Sequence, residues 1–385
     1  MITPYFGEFL VSPIPLELSL NYCSHKCAYC FANLNKPDRK AELGPIVNLL
    51  KEFRTRQSLP AMLLQEGYPI LMSNKVDPFA ASNWQPTLQL LRIMEEQGIP
   101  VAFQTKGGKG IDDALSMIGP SAFYISIGFT DDALRKKIEP GAPSIATRLA
   151  LIEQLRERGH HVCVGINPCV PQWLPDPTEL MREIQKRGVS DVWIETLHLN
   201  NNQTRNMNAR EKENLGAPVL NEALKRNASP ETFDYFRHAL ESAFELGLQA
   251  FTVNSPHIST YHEAYHRLYP RSFPTMQGFL NECAATKQPG DGVTFAEFRR
   301  HMMTRLPRFT GPLNDYIGAA TPTMKVKYNV PRMMNFPTLL AIVWQAAESK
   351  ANPQKNFAFM EEALGKDEHG LPLYGWAGPG FQTEH

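Results

Sequence analysis

No apolar run in this chain of 385 residues is long enough to cross a bilayer. The longest helical one, Phe336 to Ala347, falls well short of the roughly 20 residues a spanning helix needs and contains a Pro and a Trp. Neither sign of charge is in excess: Lys and Arg together number 39, and so do Asp and Glu. No global field therefore draws the protein to nucleic acid or to an anionic membrane, and any such contact has to come from a local patch. Met1 to Leu20 lacks a basic segment followed by an apolar run, so no secretory signal is read there, and a cytoplasmic location without membrane association is expected. Cysteine is sparse. Of the 6 present, Cys23, Cys27 and Cys30 crowd together while Cys163, Cys169 and Cys283 are scattered, which makes a poor disulfide framework. Internal repeats and low-complexity tracts are also missing.

What is there has the balance of a globular protein, with 43% hydrophobic and 20% charged residues. From about residue 14 to residue 254, short β-branched or apolar runs alternate with amphipathic stretches, the pattern of βα units and a parallel sheet. Strands are expected at Ile14 to Leu20, Ile70 to Ser73, Val101 to Thr105, Ala122 to Phe129, Val162 to Ile166 and Asp191 to Leu197, with a further short run at Gln249 to Val253. Helices are expected at Trp84 to Gln97, ahead of Gly98, at Ser144 to Arg158, ahead of Gly159, and at Phe233 to Leu246, ahead of Gly247. The expected fold class is α/β, a partial (β/α)6 barrel whose C-terminal strand ends and following loops build the active site. A doubly wound open sheet is the alternative that periodicity does not separate. Residues 1–254 are read as the barrel domain, with an Asn-rich insertion or mobile loop at about residues 200–229. Residues 255–385 lose the alternation and are read as a mostly helical or irregular substrate-binding extension, with helices near Phe295 to Leu306 and Pro337 to Ser349.

The segment LSLNYCSHKCAYCF, Leu18 to Phe31, sets Cys23, Cys27 and Cys30 in a C-x3-C-x2-C spacing directly after the first strand. Thiolates hold iron–sulfur clusters, and a cubane has four irons. Three protein ligands therefore leave one iron open to chelate a small molecule carrying an amine and a carboxylate. A structural zinc site or a redox trio is the alternative. Zinc prefers a closed shell of four ligands, however; no second C-x2-C is present, and the one H-x3-H, His262 to His266, lies in a segment without a long apolar helix. His25 is the one local residue that offers a fourth ligand.

At these cysteines the sequence resembles the radical S-adenosylmethionine (SAM) superfamily, and further along it looks like the spore photoproduct lyase branch of it. The segments that carry the likeness are Ser73 through Asp77-Pro78, Thr105-Lys106, Ser126 to Gly128, Ile138-Glu139-Pro140, Arg148 and Asn167-Pro168-Cys169. The resemblance covers roughly residues 14–200. It implies a [4Fe-4S] cluster on Cys23, Cys27 and Cys30 that cleaves SAM reductively, and the abstraction of hydrogen from a nucleobase or nucleotide-containing substrate by the resulting 5′-deoxyadenosyl radical, as a lyase, isomerase or base-modifying activity. An amino acid, peptide or small metabolite is the alternative substrate. It further implies that Ser73, Lys106 and Ser126 hold the amino-acid part of SAM, with Lys106 facing its carboxylate. Tyr29 beside the third cysteine would shield the cluster or touch adenine, and Asn167 and Glu195 would lie where a ribose or polar substrate binds. A one-electron donor such as flavodoxin or ferredoxin is the implied partner.

Two positions depart from that branch. Leu71 stands where those lyases carry a hydrogen-donating cysteine, and Phe31 where they have a tyrosine, which argues against thymine-dimer repair. Cys169 is the remaining thiol to nominate as a hydrogen donor, against a reading as a small apolar residue. Elsewhere, His262 to His266 matches H-E-x-x-H, a metalloprotease pattern, but it sits between Pro256 and Pro270 without a long apolar helix. A surface helix is the favoured reading. Between Glu297 and Arg332, Arg299, Arg300, Arg305, Arg308, Lys325, Lys327 and Arg332 are interleaved with Phe298, Phe309, Tyr316 and Tyr328. That mixture suits contact with a nucleic-acid backbone and stacked bases, or an ordinary solvated face.

Overall fold

The structure is a computed structural model. It describes residues 7–20, 22–34, 42–72, 75–225, 227–252, 265, 267–269, 276–305, 322–331, 334–347, 349, 351–356 and 360–378. The described residues fall into two compact units. One comprises those within Leu18–Val47 and Leu71–Ile258, the other those within Ile2–Glu17, Asn48–Ile70 and Ser259–His385.

Seven strands form one sheet in the order β1 (Leu16–Leu18), β2 (Ile70–Met72), β3 (Val101–Thr105), β4 (Ala122–Ser126), β5 (His161–Ile166), β6 (Asp191–Ile194) and β7 (Gln249–Phe251). The pairings from β3 through β7 are parallel. Each strand lies beside its neighbours in sequence, so the crossovers run in one direction, as in a (β/α) barrel, and do not reverse as in a doubly wound sheet. Because helices cover such a sheet, its strands read as nearly unbroken apolar runs. All five residues of β4 are buried, and Phe103 stacks on Phe123 with ring centroids 4.6 Å apart.

The crossover helices begin and end where their sequence says they should. Ser144 accepts from the Thr147 amide ahead of the helix Ile145–Glu157, and Asp176 does the same for Thr178 ahead of Pro177–Lys186, satisfying first-turn donors that have no partner within the helix. Gly98 closes Trp84–Gln97 in a left-handed conformation.

The segment expected to be a mobile insertion is instead three short helices, Asn201–Asn206, Ala209–Leu215 and Ala217–Ala223. The asparagines that read as loop residues are caps: Asn200 with Gln203, and Asn208 with Glu211, each form a reciprocal capping box. Met207, Leu215, Val219 and Ala223 from these helices bury against Ala28, Leu34, Phe129 and Trp173.

The other unit contains an element the sequence reading did not anticipate, a three-stranded sheet in the order β8 (Gly292–Val293), β10 (Pro372–Trp376), β9 (Met360–Lys366), with antiparallel pairing. It packs with the helices Met276–Thr286, Phe295–Arg305 and Phe336–Gln345 around Trp344, whose ring lies 5.1 Å from both Phe298 and Tyr374 and whose indole N–H donates to Pro372 O at 2.8 Å. The apolar run from Phe336 is thus a core helix, and no described helix is long and apolar enough to cross a membrane.

Candidate active site

The loop after β1 carries Cys23, Cys27 and Cys30, and all three line one cavity of about 290 Å³. The loops and ends of the next five strands complete its wall: Asp77 after β2, Thr105 and Lys106 at β3, Ser126 at β4, Asn167 after β5, and Thr196 to His198 after β6. Every one of these residues lies at the C-terminal end of its strand, the end at which a barrel carries its functional side chains. Tyr124 also faces the cavity. It has room because Gly165 lies opposite on β5, where a Cβ would overlap the Tyr124 ring.

The cysteine loop is docked on the turn that follows the helix Asp132–Ile138. The Ala28 amide donates to Ile138 O and the Gly141 amide to His25 O, both at 2.9 Å, and His25 Nδ1 lies 2.9 Å from Gly141 O. A Cβ on Gly141 would overlap the Ser24 carbonyl, so only glycine permits this approach. On its other side His25 reaches Asp77, with Nε2 3.1 Å from Oδ2. Asp77 is itself a buried hub that accepts from the Lys106 amide at 2.6 Å, Thr105 Oγ1 at 2.7 Å and the Phe79 amide at 2.9 Å. Burial alone would raise its carboxyl, but the His25 contact and these hydrogen bonds outweigh burial and hold it below the usual range.

Glu139 is the second hub, at 1% exposure. It pairs with Arg148, accepts from the Tyr29 hydroxyl, and lies 3.2 Å from the Lys106 ammonium. Burial would push its carboxyl up, yet Lys106 and Arg148, with the Tyr29 bond, bring it down to about 2. Arg148 also donates to Ser126 O at 2.9 Å and Pro143 O at 3.1 Å, and Lys106 Nζ donates to Ser126 Oγ at 2.6 Å. Lys106 on the wall and Arg148 behind it therefore share the buried Glu139 carboxylate, while Asp77 on the wall is in contact with His25.

The donor set fits an iron–sulfur cluster. Among the described residues no group of three His, Cys, Asp or Glu side chains converges to hold a single metal ion. A cubane takes one thiolate on each of three irons and needs no such convergence. Burial and the nearby Asp77 push the Cys23 thiol up to about 12, and burial with Glu139 pushes Cys27 well above its ordinary value. Thiols so placed ionise when a metal's positive charge compensates them.

The structure brings together Tyr29, Lys106, Ser126 and Asn167 with the three cysteines, in one cavity. Tyr29 carries Lys106 over its ring at 5.8 Å and packs on Trp173 at 5.4 Å. Ser73 lies outside the described residues. Glu195 is in the strand-end loop, where its carbonyl accepts from the Cys169 amide at 2.7 Å, but the residues that follow it line the cavity and Glu195 does not. Cys169 lines a different cavity, of about 310 Å³, together with Tyr235 and Val219, and the stretch Thr196 to His198 borders both cavities. Asp77 and Glu139 are the residues whose roles local sequence reasoning could not assign, since their partners come from other strands and loops. His262, Glu263 and His266 lie outside the described residues, as do Arg308, Phe309, Tyr316 and Arg332. Of the basic segment, Arg299, Arg300 and Lys327 are exposed, whereas Phe298 belongs to the core around Trp344 and offers no stacking face.

The residue pattern of the Radical SAM superfamily matches residues 18–197. An uncharacterized protein of Mycobacterium tuberculosis is 26% identical over 197 residues, covering 46% of this chain and 56% of the relative. One of Acidianus two-tailed virus is 24% identical over 194 residues, covering 46% and 64%. The chain thus spans little more than half the length of the relatives it matches. Among solved structures, spore photoproduct lyase complexed with dinucleoside spore photoproduct is similar at 17% identity and a TM-score of 0.44, covering 62% of this chain and 77% of that one. Streptococcus suis SuiB bound to S-adenosylmethionine is similar at 14% identity and a TM-score of 0.43, covering 67% and 56%. The match to the Radical SAM superfamily thus spans the residues that carry the cysteine loop, both carboxylate hubs, Lys106 and Ser126.

Proposed function

We propose that the protein is a radical SAM enzyme with a [4Fe-4S] cluster on Cys23, Cys27 and Cys30 and SAM in the adjoining cavity. The observation that carries this reading is the placement of three thiols from one loop on the wall of a cavity that also presents Lys106 and Ser126. When bound, the cluster supplies one electron to SAM, which yields methionine and a 5′-deoxyadenosyl radical able to abstract hydrogen from a substrate. The protein's part is positional. Lys106 and Ser126 offer donors to the amino-acid end of SAM, Tyr29 and Tyr124 close the cavity with aromatic surface, and Asn167 supplies polar groups opposite the cysteines. Ser73, next in sequence after β2, completes the proposed set, and Glu195 is left outside it because it does not line the cavity.

The second cavity, across Thr196 to His198, is the place for the substrate. Cys169, 2% exposed, bonds to Tyr235 there, and burial pushes its thiol up to about 12. It therefore stays S–H at neutral pH, the form a hydrogen donor needs. A nucleobase or nucleotide-containing substrate is the class proposed first. An amino acid, peptide or small metabolite is favoured by the size of the cavity, about 310 Å³. A one-electron donor such as flavodoxin or ferredoxin is the required partner, and the cytoplasm is the proposed compartment. The decisive test is anaerobic reconstitution followed by iron, sulfide and 5′-deoxyadenosine analysis, with and without Cys23→Ala, Cys27→Ala and Cys30→Ala together. The triple variant should lose the cluster and all 5′-deoxyadenosine, and retention of reductive SAM cleavage would overturn the reading.

A further inference from the structure

Glu139 is tied to three different parts of the cofactor cavity, directly or through Arg148. Its carboxylate accepts from Tyr29 in the cysteine loop, pairs with Arg148 on the helix Ile145–Glu157, and lies 3.2 Å from Lys106 at the end of β3. Arg148 in turn grips the Ser126 carbonyl at 2.9 Å, and Ser126 Oγ accepts from Lys106 at 2.6 Å. All of these groups are buried or nearly so, with side-chain exposures of 1% for Glu139, 0% for Arg148 and 14% for Lys106. An ammonium has three N–H donors on a flexible stem, and it is a point charge without a fixed direction of its own. Here one donor goes to Ser126 Oγ and the ammonium stands 3.2 Å from the Glu139 carboxylate, which together restrict how it can turn. Lys106 lines the cavity while Arg148 and Glu139 stand behind it, and because Arg148 shares the Glu139 carboxylate, a carboxylate ligand meets the ammonium without having to displace Glu139.

We infer that Glu139 is the positioning residue for carboxylate recognition in this cavity: it orients Lys106 toward the ligand and ties that lysine to the cysteine loop through Tyr29. This rests on the reading that the cavity takes SAM. In the competing role for the same contact, Glu139 merely occupies the ammonium and weakens its hold on a ligand. The two roles predict opposite changes.

The experiment compares SAM with decarboxylated SAM, which keeps the sulfonium, the amine and the nucleoside but lacks the carboxylate. Both are titrated into reconstituted wild-type protein, Lys106→Ala and Glu139→Gln, and the ratio of Kd for decarboxylated SAM to Kd for SAM is read together with iron content. A variant that only loosens the fold weakens both ligands alike and leaves the ratio unchanged. We expect Lys106→Ala and Glu139→Gln each to lower the wild-type ratio by about tenfold or more, the worth of a hydrogen bond to a charged group, with iron content retained. A ratio that is unchanged or raised in Glu139→Gln, while Lys106→Ala lowers it, overturns the positioning role and leaves the SAM reading standing. Failure of the wild-type protein to bind SAM, or a ratio unaffected by Lys106→Ala, overturns the reading on which the inference rests. Should Glu139→Gln yield no folded protein, Glu139→Asp keeps the charge and withdraws it by one methylene: a lowered ratio supports the inference, and an unchanged one refutes it.

Discussion

Replacing Arg148 with Leu tests whether the buried network holds the fold as well as the site. The guanidinium is fully buried, and its partners are Glu139 Oε2, Ser126 O at 2.9 Å and Pro143 O at 3.1 Å. Removing one member of a buried ion pair costs about 3–5 kcal/mol because the other charge stays behind. Lys106 and Tyr29 remain on Glu139 in the variant and keep the carboxylate partly satisfied, so the lower end, about 3 kcal/mol, is the better figure. In a cooperative unit of about 150–250 residues each kcal/mol lowers the melting temperature by about 2–4 °C, which gives a fall of about 6–12 °C. The assay is thermal denaturation of the cluster-free protein followed by circular dichroism, with wild type and variants handled identically. Glu139→Gln added to Arg148→Leu removes the charge that the single substitution abandons. The double variant should therefore be more stable than the sum of the two singles predicts, with a coupling of about 1–3 kcal/mol. A fall below about 2 °C for Arg148→Leu, or strictly additive effects, would refute a mutually dependent buried pair.

The cap of the helix Ala209–Leu215 is a local test: Asn208→Ala should cost about 0.5–2 kcal/mol and speed amide exchange in that helix, leaving β3 to β6 protected. Trp173→Ala empties the site between Phe129 and Tyr29 and should cost about 3–5 kcal/mol, read by chemical denaturation. For Glu297, burial would raise the carboxyl, but the Lys287 and Thr294 contacts outweigh burial and lower it. Its stabilisation is accordingly complete above the ordinary glutamate value of 4.5 and is lost as pH falls through the lowered one. Glu297→Gln should flatten the dependence of melting temperature on pH below that point, and an unchanged slope would remove the pair from the account. Arg299→Gln with Arg300→Gln should make the log–log salt slope of oligonucleotide binding shallower by up to about two units if both touch phosphates, whereas an unchanged slope would mark an ordinary solvated face.

The parts of the fold that were legible in the sequence are those whose signals are local. β3 to β6 are largely apolar runs, and Ser144 and Gly98 sit at the helix ends their chemistry favours. β7 was legible only as a short run, because three residues carry too little periodicity to stand as a strand apart from the β6 edge they pair with. Asn200 and Asn208 misled because asparagine is equally at home in a loop and at a helix cap, and only the reciprocal bonds to Gln203 and Glu211 distinguish the two. In the site, Cys23, Cys27 and Cys30 were legible since their spacing is a local property. The Glu139 hub was not: Tyr29 lies 110 residues from it in sequence, and the His25 contact to Gly141 spans 116. Likewise Phe298 looked like a base-stacking residue in a basic segment until the packing around Trp344 claimed it.

The meeting of Lys106 with Ser126 follows from sheet register and owes little to either residue alone. In the β3–β4 ladder Thr105 is the partner of Ile125, so the next position along each strand sets Lys106 beside Ser126, with their side chains on one face. In the β4–β5 ladder Ser126 is the partner of Gly165, which places Asn167 just beyond it on the same rim. Side chains alternate between faces with a period of two, so a slip of one residue between β3 and β4 would send Lys106 and Ser126 to opposite sides of the sheet. The apolar partners Phe103 and Phe123 prevent that slip, because their stacked rings, 4.6 Å apart, require the same register. The core thus enforces the alignment of the polar rim. Substitutions at Phe103 or Phe123 should accordingly reach the cavity through register, though neither ring lines it.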